Sequence, residues 1–189
     1  MKKEIRTVDK EKGLVRITTV DERWYAKTDT DPTTLLPIYV YVPSVTWIDE
    51  HYPKGIAFYR WLADKGWDEA EAIKEAAGDK GSKVHAAIVD LLDGHTVKME
   101  DEYLNPSTGL PDALTLEEYL ALMSFAAWYA TVKPETLGRE LVIWNDAEGY
   151  AGTVDYLCKI DGELYVVDFK TSKFIWPSHR MQVSAYKHS

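Results

Sequence analysis

Alternating and helically spaced apolar positions divide the chain into a strand-rich opening, a helical middle and a strand-then-helix close. Leu14-Val15-Arg16-Ile17-Thr18-Thr19-Val20, Arg23-Trp24-Tyr25-Ala26-Lys27 and Ile38-Tyr39-Val40-Tyr41-Val42 are rich in β-branched and aromatic residues. Their pattern predicts strands within residues 4–42, with a turn at Asp21-Glu22 and a stop at Pro43. A helix is expected over about 54–65, and a second from Asp68, an N-cap with Glu69 and Glu71 in its first turn. Gly78 and Gly81 are expected to break that helix. Val84, Ile88, Leu91 and Leu92 then recur at helical spacing until Gly94.

Residues 94–114, which contain Asn105-Pro106-Ser107 and Gly109-Leu110-Pro111, read as a loop. Thr115 and Glu118 form a capping box for a helix to about Thr131, closed by Pro134. Its inward stripe is expected at Leu116, Tyr119, Leu120, Met123 and Ala127. Three strands follow, at about 138–144, 151–160 and 163–170. Pro177 suits the first turn of a terminal helix carrying Gln182 and Tyr186. Strands, helices, a meander and a closing helix, in that order, give a single domain of α+β (mixed α/β) class.

Composition narrows the class. With 189 residues, 46% of them hydrophobic, the chain suits one globular domain that buries roughly 70% of its unfolded surface. No apolar run approaches the ~18 residues of a membrane span, and Met1-Lys2-Lys3-Glu4-Ile5-Arg6 lacks the apolar stretch of a signal peptide. A lone cysteine, Cys158, excludes an intramolecular disulfide framework and any four-cysteine zinc or iron–sulfur site within this chain. It fits a reducing, cytoplasmic compartment. The net charge of −9 argues against a surface coated for nucleic acid. Yet Phe169–Ser189 holds four basic residues (Lys170, Lys173, Arg180, Lys187), two histidines and no acid. Such a strip beside an acidic body guides a polyanion towards carboxylates, or is simply a solvated helix.

The candidate chemistry lies in Asp155-Tyr156-Leu157-Cys158-Lys159-Ile160-Asp161-Gly162-Glu163-Leu164-Tyr165-Val166-Val167-Asp168-Phe169-Lys170. Asp-Gly between two apolar runs is the strongest short hairpin signal. With a two-residue loop at Asp161-Gly162, Ile160 faces Glu163 and Asp155 faces Asp168, with Lys170 on the same side. Opposed carboxylates repel, and largely buried ones share a proton or bind a cation. Hard oxygen ligands favour Mg²⁺ or Mn²⁺, and a lysine beside them can orient water or stabilise charge on phosphate. The competing reading is a surface hairpin neutralised by Lys170. Glu140 in an otherwise apolar strand and His85 beside a helical apolar stripe are further candidates, each with an ordinary surface or packing role as its alternative. Gln182 and Tyr186 share a helix face.

Together these residues resemble the PD-(D/E)XK nuclease superfamily, in its RecB-like branch of phage-type and mitochondrial-type exonucleases. The resemblance covers residues 43–189, and its pieces stand in family order: Pro43-Ser44-Val45-Thr46, Gly81-Ser82-Lys83-Val84-His85, Gly138-Arg139-Glu140, Gly152-Thr153-Val154-Asp155, Asp168-Phe169-Lys170 and Gln182-x-x-x-Tyr186. It implies a restriction-endonuclease-like core, a central mixed sheet with an antiparallel meander flanked by helices, preceded by a β-rich extension at 1–42. His85, Asp155, Asp168 and the Phe169 carbonyl would hold Mg²⁺ or Mn²⁺, with Glu140 direct or through water. Lys170, Asp168, Asp155 and Glu140 would be the catalytic set. Gln182, Tyr186, Lys173 and Arg180 would order the site or contact DNA. The implied activity is metal-dependent DNA hydrolysis by an exonuclease of recombination, repair or phage DNA processing.

The implied setting is the cytoplasm of a bacterium or archaeon, or a phage-encoded protein, with no iron–sulfur cluster and no membrane. DNA and other recombination or replication proteins would be the partners. Relatives usually continue past the Gln-x-x-x-Tyr motif, so the chain reads as a shortened or compact form. The alternatives are a non-catalytic DNA-binding or assembly module on the same fold, a structure-specific endonuclease, and a hydrolase of small phosphoesters.

Overall fold

The computed structural model describes residues 4–19 and 22–189. Strands β1 (Glu4–Asp9), β2 (Leu14–Thr18), β3 (Arg23–Thr30) and β4 (Pro37–Pro43) form one antiparallel sheet in chain order. The expected strand through Val20 ends at Thr18; Val20 and Asp21 lie outside the described residues. Ser44 then turns the chain into α1 (Val45–Glu50). Its hydroxyl accepts a hydrogen bond from the Trp47 amide at 3.0 Å, satisfying one of the helix's free N–H groups.

Helix α2 (Ile56–Lys65) forms close to its expected position. Helix α3 (Trp67–Leu92) starts earlier than expected: Gly66 occupies the N-cap, and Asp68 and Glu69 lie in the first turn. It also runs unbroken through Gly78 and Gly81. Each glycine costs about 1 kcal/mol relative to alanine, but Val84, Ala87 and Ile88 are buried in the main core and the helix holds through them. Residues 94–114 are not all loop, because β5 (Glu102–Leu104) and β6 (Pro111–Ala113) pair as a short antiparallel ribbon. That ribbon presents Asp112 to Lys83.

Helix α4 (Leu116–Val132) has the expected capping box. The Glu118 amide donates to Thr115 Oγ1 at 3.3 Å and the Thr115 amide to Glu118 Oε2 at 2.7 Å. Its inward face differs from the expected one. Leu116, Leu120 and Met123 are 65%, 55% and 40% exposed, and Ala127 is exposed too. Leu122, Phe125, Trp128 and Tyr129 pack inward, with Tyr119 alone of the expected stripe. Apolar residues surround this helix, so spacing does not select a face. Tertiary contact does: Lys83 Nζ lies 2.9 Å from Glu118 Oε2, and both side chains are buried.

Strands β7 (Glu135–Asn145), β8 (Tyr150–Ile160) and β9 (Glu163–Val167) form the antiparallel meander, followed by α5 (Pro177–Lys187) with Pro177 in its first turn. The Asp161-Gly162 loop is as expected, with φ of +52° and +84° and Ile160 opposite Glu163. The class is α+β. Among the described residues the expected mixed sheet does not form: each sheet there is antiparallel, and the parallel pairing is one bridge, Ser44 to Ala151. That bridge, and Tyr25 packed with Ala151, set the N-terminal sheet against β8. No helix of the described residues is long and apolar enough to cross a membrane.

Candidate active site

Strand β8 is the spine of the site. Alternation puts Ala151, Thr153 and Asp155 on one face. The β8–β9 ladder ends at Tyr156 opposite Val167, one pair short of Asp155 and Asp168. Residues 168–170 leave the expected strand because the Phe169 amide donates to the Asp155 side chain, Oδ2, at 2.8 Å. On the other edge, Arg139 pairs with Tyr156 and Leu141 with Val154, which places Glu140 across from Asp155. Glu140 has a φ of +49°. A glutamate there is strained by about 1–3 kcal/mol, a cost tolerated mainly at functional sites.

Helix α3 brings His85 to the same point. Its Nε2 lies 2.9 Å from the Phe169 carbonyl oxygen, and its Nδ1 3.8 Å from Asp155 Oδ1. Since a carbonyl can only accept, Nε2–H donates, and the other ring nitrogen, Nδ1, is directed towards the Asp155 carboxylate. At 3.8 Å the two atoms are spaced so that one cation can take both. The Phe169 ring is buried against Phe125 and Tyr156, with centroids 5.1 and 6.1 Å away, and so fixes the direction of its carbonyl. Ligand atoms of His85, Glu140 and Asp155 all lie within 4.8 Å of one another. Burial pushes the Asp155 carboxyl up to about 6, helped by Asp168 and Glu140 and opposed by His85. A donor set of one imidazole, two carboxylates and a nearby carbonyl fits Mn²⁺ or Mg²⁺.

Asp168 is not among those three residues. Its buried carboxylate takes Lys170 Nζ at 2.8 Å instead. Lys170 also donates to Gln182 Oε1 at 2.9 Å, and Gln182 Nε2 donates to the Tyr186 hydroxyl at 2.8 Å. Gln182 and Tyr186 are both buried, and burial raises the Tyr186 phenol above its ordinary value, keeping it neutral. This relay depends on Gly152, where a Cβ would stand 2.6 Å from Tyr186 Cε1.

All these side chains open on one cleft of about 610 Å³. His85, Glu140, Asp155, Asp168, Lys170, Gln182 and Tyr186 line it, whereas Lys173 and Arg180 are exposed and do not. Sequence reasoning missed the opposite wall: Arg6, Arg16, Arg23 and Tyr25 come from the N-terminal sheet. Tyr25 and Thr153 hydroxyls, 2.9 Å apart, hold that wall in place. Applying strand alternation to Arg16, Arg23 and Tyr25 is the signal that would have flagged it. Asp49, beside Lys170 in an adjoining hollow, is a further unanticipated acid; burial pushes its carboxyl up to about 6 against the pull of Lys170 and Lys54.

Comparison with protein-family models, curated protein sequences and solved structures returned no match for this chain.

Proposed function

We propose that the chain is a Mg²⁺- or Mn²⁺-dependent deoxyribonuclease with a PD-(D/E)XK core of the RecB-like branch, acting as an exonuclease. The observation that carries this reading is the meeting of His85, Glu140 and Asp155, ligand atoms within 4.8 Å, in the cleft that also holds Lys170. A solvated hairpin explains neither the histidine nor the strained glutamate at that point. His85, Asp155, Glu140 and the Phe169 carbonyl would hold the divalent ion. When bound, it supplies charge neutralisation at phosphorus and a more acidic water.

The chain's own groups do the rest. Asp168 and Gln182 hold the Lys170 ammonium from two sides, so its remaining N–H can point a water at phosphorus or meet developing negative charge. Tyr186 fixes the Gln182 amide, which leaves Oε1 free to accept from Lys170. Hydrolysis adds water across the P–O bond: one oxygen forms a bond to phosphorus, the opposite P–O bond breaks, and the departing oxygen gains a proton.

The test is incubation of end-labelled linear DNA and a closed circle with Mg²⁺, Mn²⁺ or EDTA. Metal-dependent loss of linear DNA with the circle spared supports the exonuclease, and a cut circle replaces it with an endonuclease. Intact DNA under every metal condition refutes the nuclease reading.

A further inference from the structure

The N-terminal sheet faces the acidic centre with three guanidinium groups, and the register brings them together. Arg6 stands directly opposite Arg16 across β1 and β2, and Arg16 opposite Tyr25 across β2 and β3. Paired residues share a face, so Arg6, Arg16 and Tyr25 form one row across the sheet. Arg23, two residues from Tyr25, projects on that face too. All four line the cleft with His85, Glu140 and Asp155.

Like charges directly opposite on neighbouring strands destabilise a sheet unless an anion lies between them. Arg23 adds a second sign of the same conflict. Burial and the nearby Arg16 charge both lower its pKa, and its side-chain bond is a long one, Nη1 to Thr46 Oγ1 at 3.5 Å. Among the described residues, no carboxylate lies within ion-pair distance of Arg6, Arg16 or Arg23. Meanwhile the chain as a whole carries −9, so a polyanion must be drawn in by a local basic wall.

We propose that Arg6, Arg16 and Arg23 bind the backbone phosphates of a nucleic-acid strand that flank the phosphate presented to His85, Glu140 and Asp155. This rests on the nuclease reading for what happens at the central phosphate, not for the binding itself. Planar guanidinium forks match phosphate oxygens in pairs. The N-terminal sheet is thus the strand-holding half of the cleft, and the meander with α3 and α5 is the reacting half.

The experiment measures binding of a fluorescein-labelled single-stranded oligothymidylate in EDTA, across a salt series. Arg6→Gln/Arg16→Gln is the main variant, with Lys10→Gln/Lys12→Gln, in the β1–β2 turn outside the cleft lining, as a charge-matched control. Losing two phosphate contacts should lower the slope of log affinity against log salt by roughly 1.4 and weaken binding on the order of tenfold, with the control unchanged. Arg23→Lys, which keeps the charge but not the fork, should fall between wild type and the double variant, and a thermal melt of each shows that the fold persists. An oligomer with an uncharged methylphosphonate backbone should bind weakly and equally to wild type and variant.

Wild-type affinity and slope in Arg6→Gln/Arg16→Gln overturn the proposal, as does an equal loss in the control. Arginine-dependent binding without cleavage under any metal keeps the proposal and removes the nuclease reading. Cleavage with arginine-independent binding does the reverse.

Discussion

Asp155→Asn should make the metal-free protein more stable at pH 8 than the wild type, while destroying the proposed centre. Burial raises this carboxyl from 3.8 to about 6 in the folded state. Ionising it there costs up to ~3 kcal/mol relative to the unfolded chain, at 1.36 kcal/mol per pH unit. Because the folded value is the raised one, the carboxyl's contribution is complete below about pH 4 and is lost as pH climbs through about 6. Asparagine keeps an oxygen to accept the Phe169 amide, now held at 2.8 Å by the carboxylate. The preference of that amide for the charged form is already contained in the folded value of about 6, so the gain follows from the shift alone.

The gain is roughly 2–3 kcal/mol, or about 4–12 °C in Tm for a chain of this size. The assay is a set of thermal melts in EDTA from pH 4 to 8. The variant and wild type should coincide near pH 4 and diverge through pH 5–6. Mn²⁺ should then raise the Tm of the wild type and not of the variant. A variant that melts at or below the wild type at pH 8 refutes the claim that Asp155 is a buried charge awaiting a partner.

Three other substitutions test separate parts of the cleft. Gly152→Ala puts a methyl 2.6 Å from the Tyr186 ring, so it should cost about 1–3 kcal/mol of stability and slow cleavage by displacing Gln182 from Lys170. Lys83→Ala strands the buried Glu118 carboxylate that Lys83 meets at 2.9 Å, and should lower stability by about 3–5 kcal/mol in chemical denaturation. Glu140→Gly releases the strained φ of +49° and should stabilise the apoprotein by about 1 kcal/mol, while weakening Mn²⁺ binding about tenfold or more in calorimetry.

The parts of the fold legible in the sequence are those set by a few neighbouring residues. Asp161-Gly162 fixes the hairpin register by itself, because both residues take the positive φ that a tight two-residue loop demands. Thr115 with Glu118, and Pro177, mark their helix starts for equally local reasons. The same register predicts Asp155 opposite Asp168, a pair the ladder stops short of, while Glu140 and His85 read equally as ordinary surface or packing residues.

What could not be read depends on contacts distant in sequence. The inward face of α4 follows from Glu118 meeting Lys83 rather than from spacing. The continuity of α3 through two glycines follows from the burial of its second half. The release of residues 168–170 from the strand follows from the Phe169 amide meeting the Asp155 side chain, 14 positions earlier. Alternation groups Arg23 with Tyr25 on one face, but that this face meets the acidic centre depends on Tyr25 and Thr153, 128 positions apart.

The decisive measurement is single-turnover cleavage of end-labelled DNA by wild type and Lys170→Ala, in Mn²⁺, in Mg²⁺ and in EDTA, with equal folding verified by melts. Lys170 is held between Asp168 and Gln182 at the edge of the proposed centre. Cleavage should therefore require the metal and fall at least about 100-fold in the variant. Equal rates for the two proteins, or cleavage undiminished in EDTA, would contradict the assignment of this cleft as a metal-dependent nuclease site.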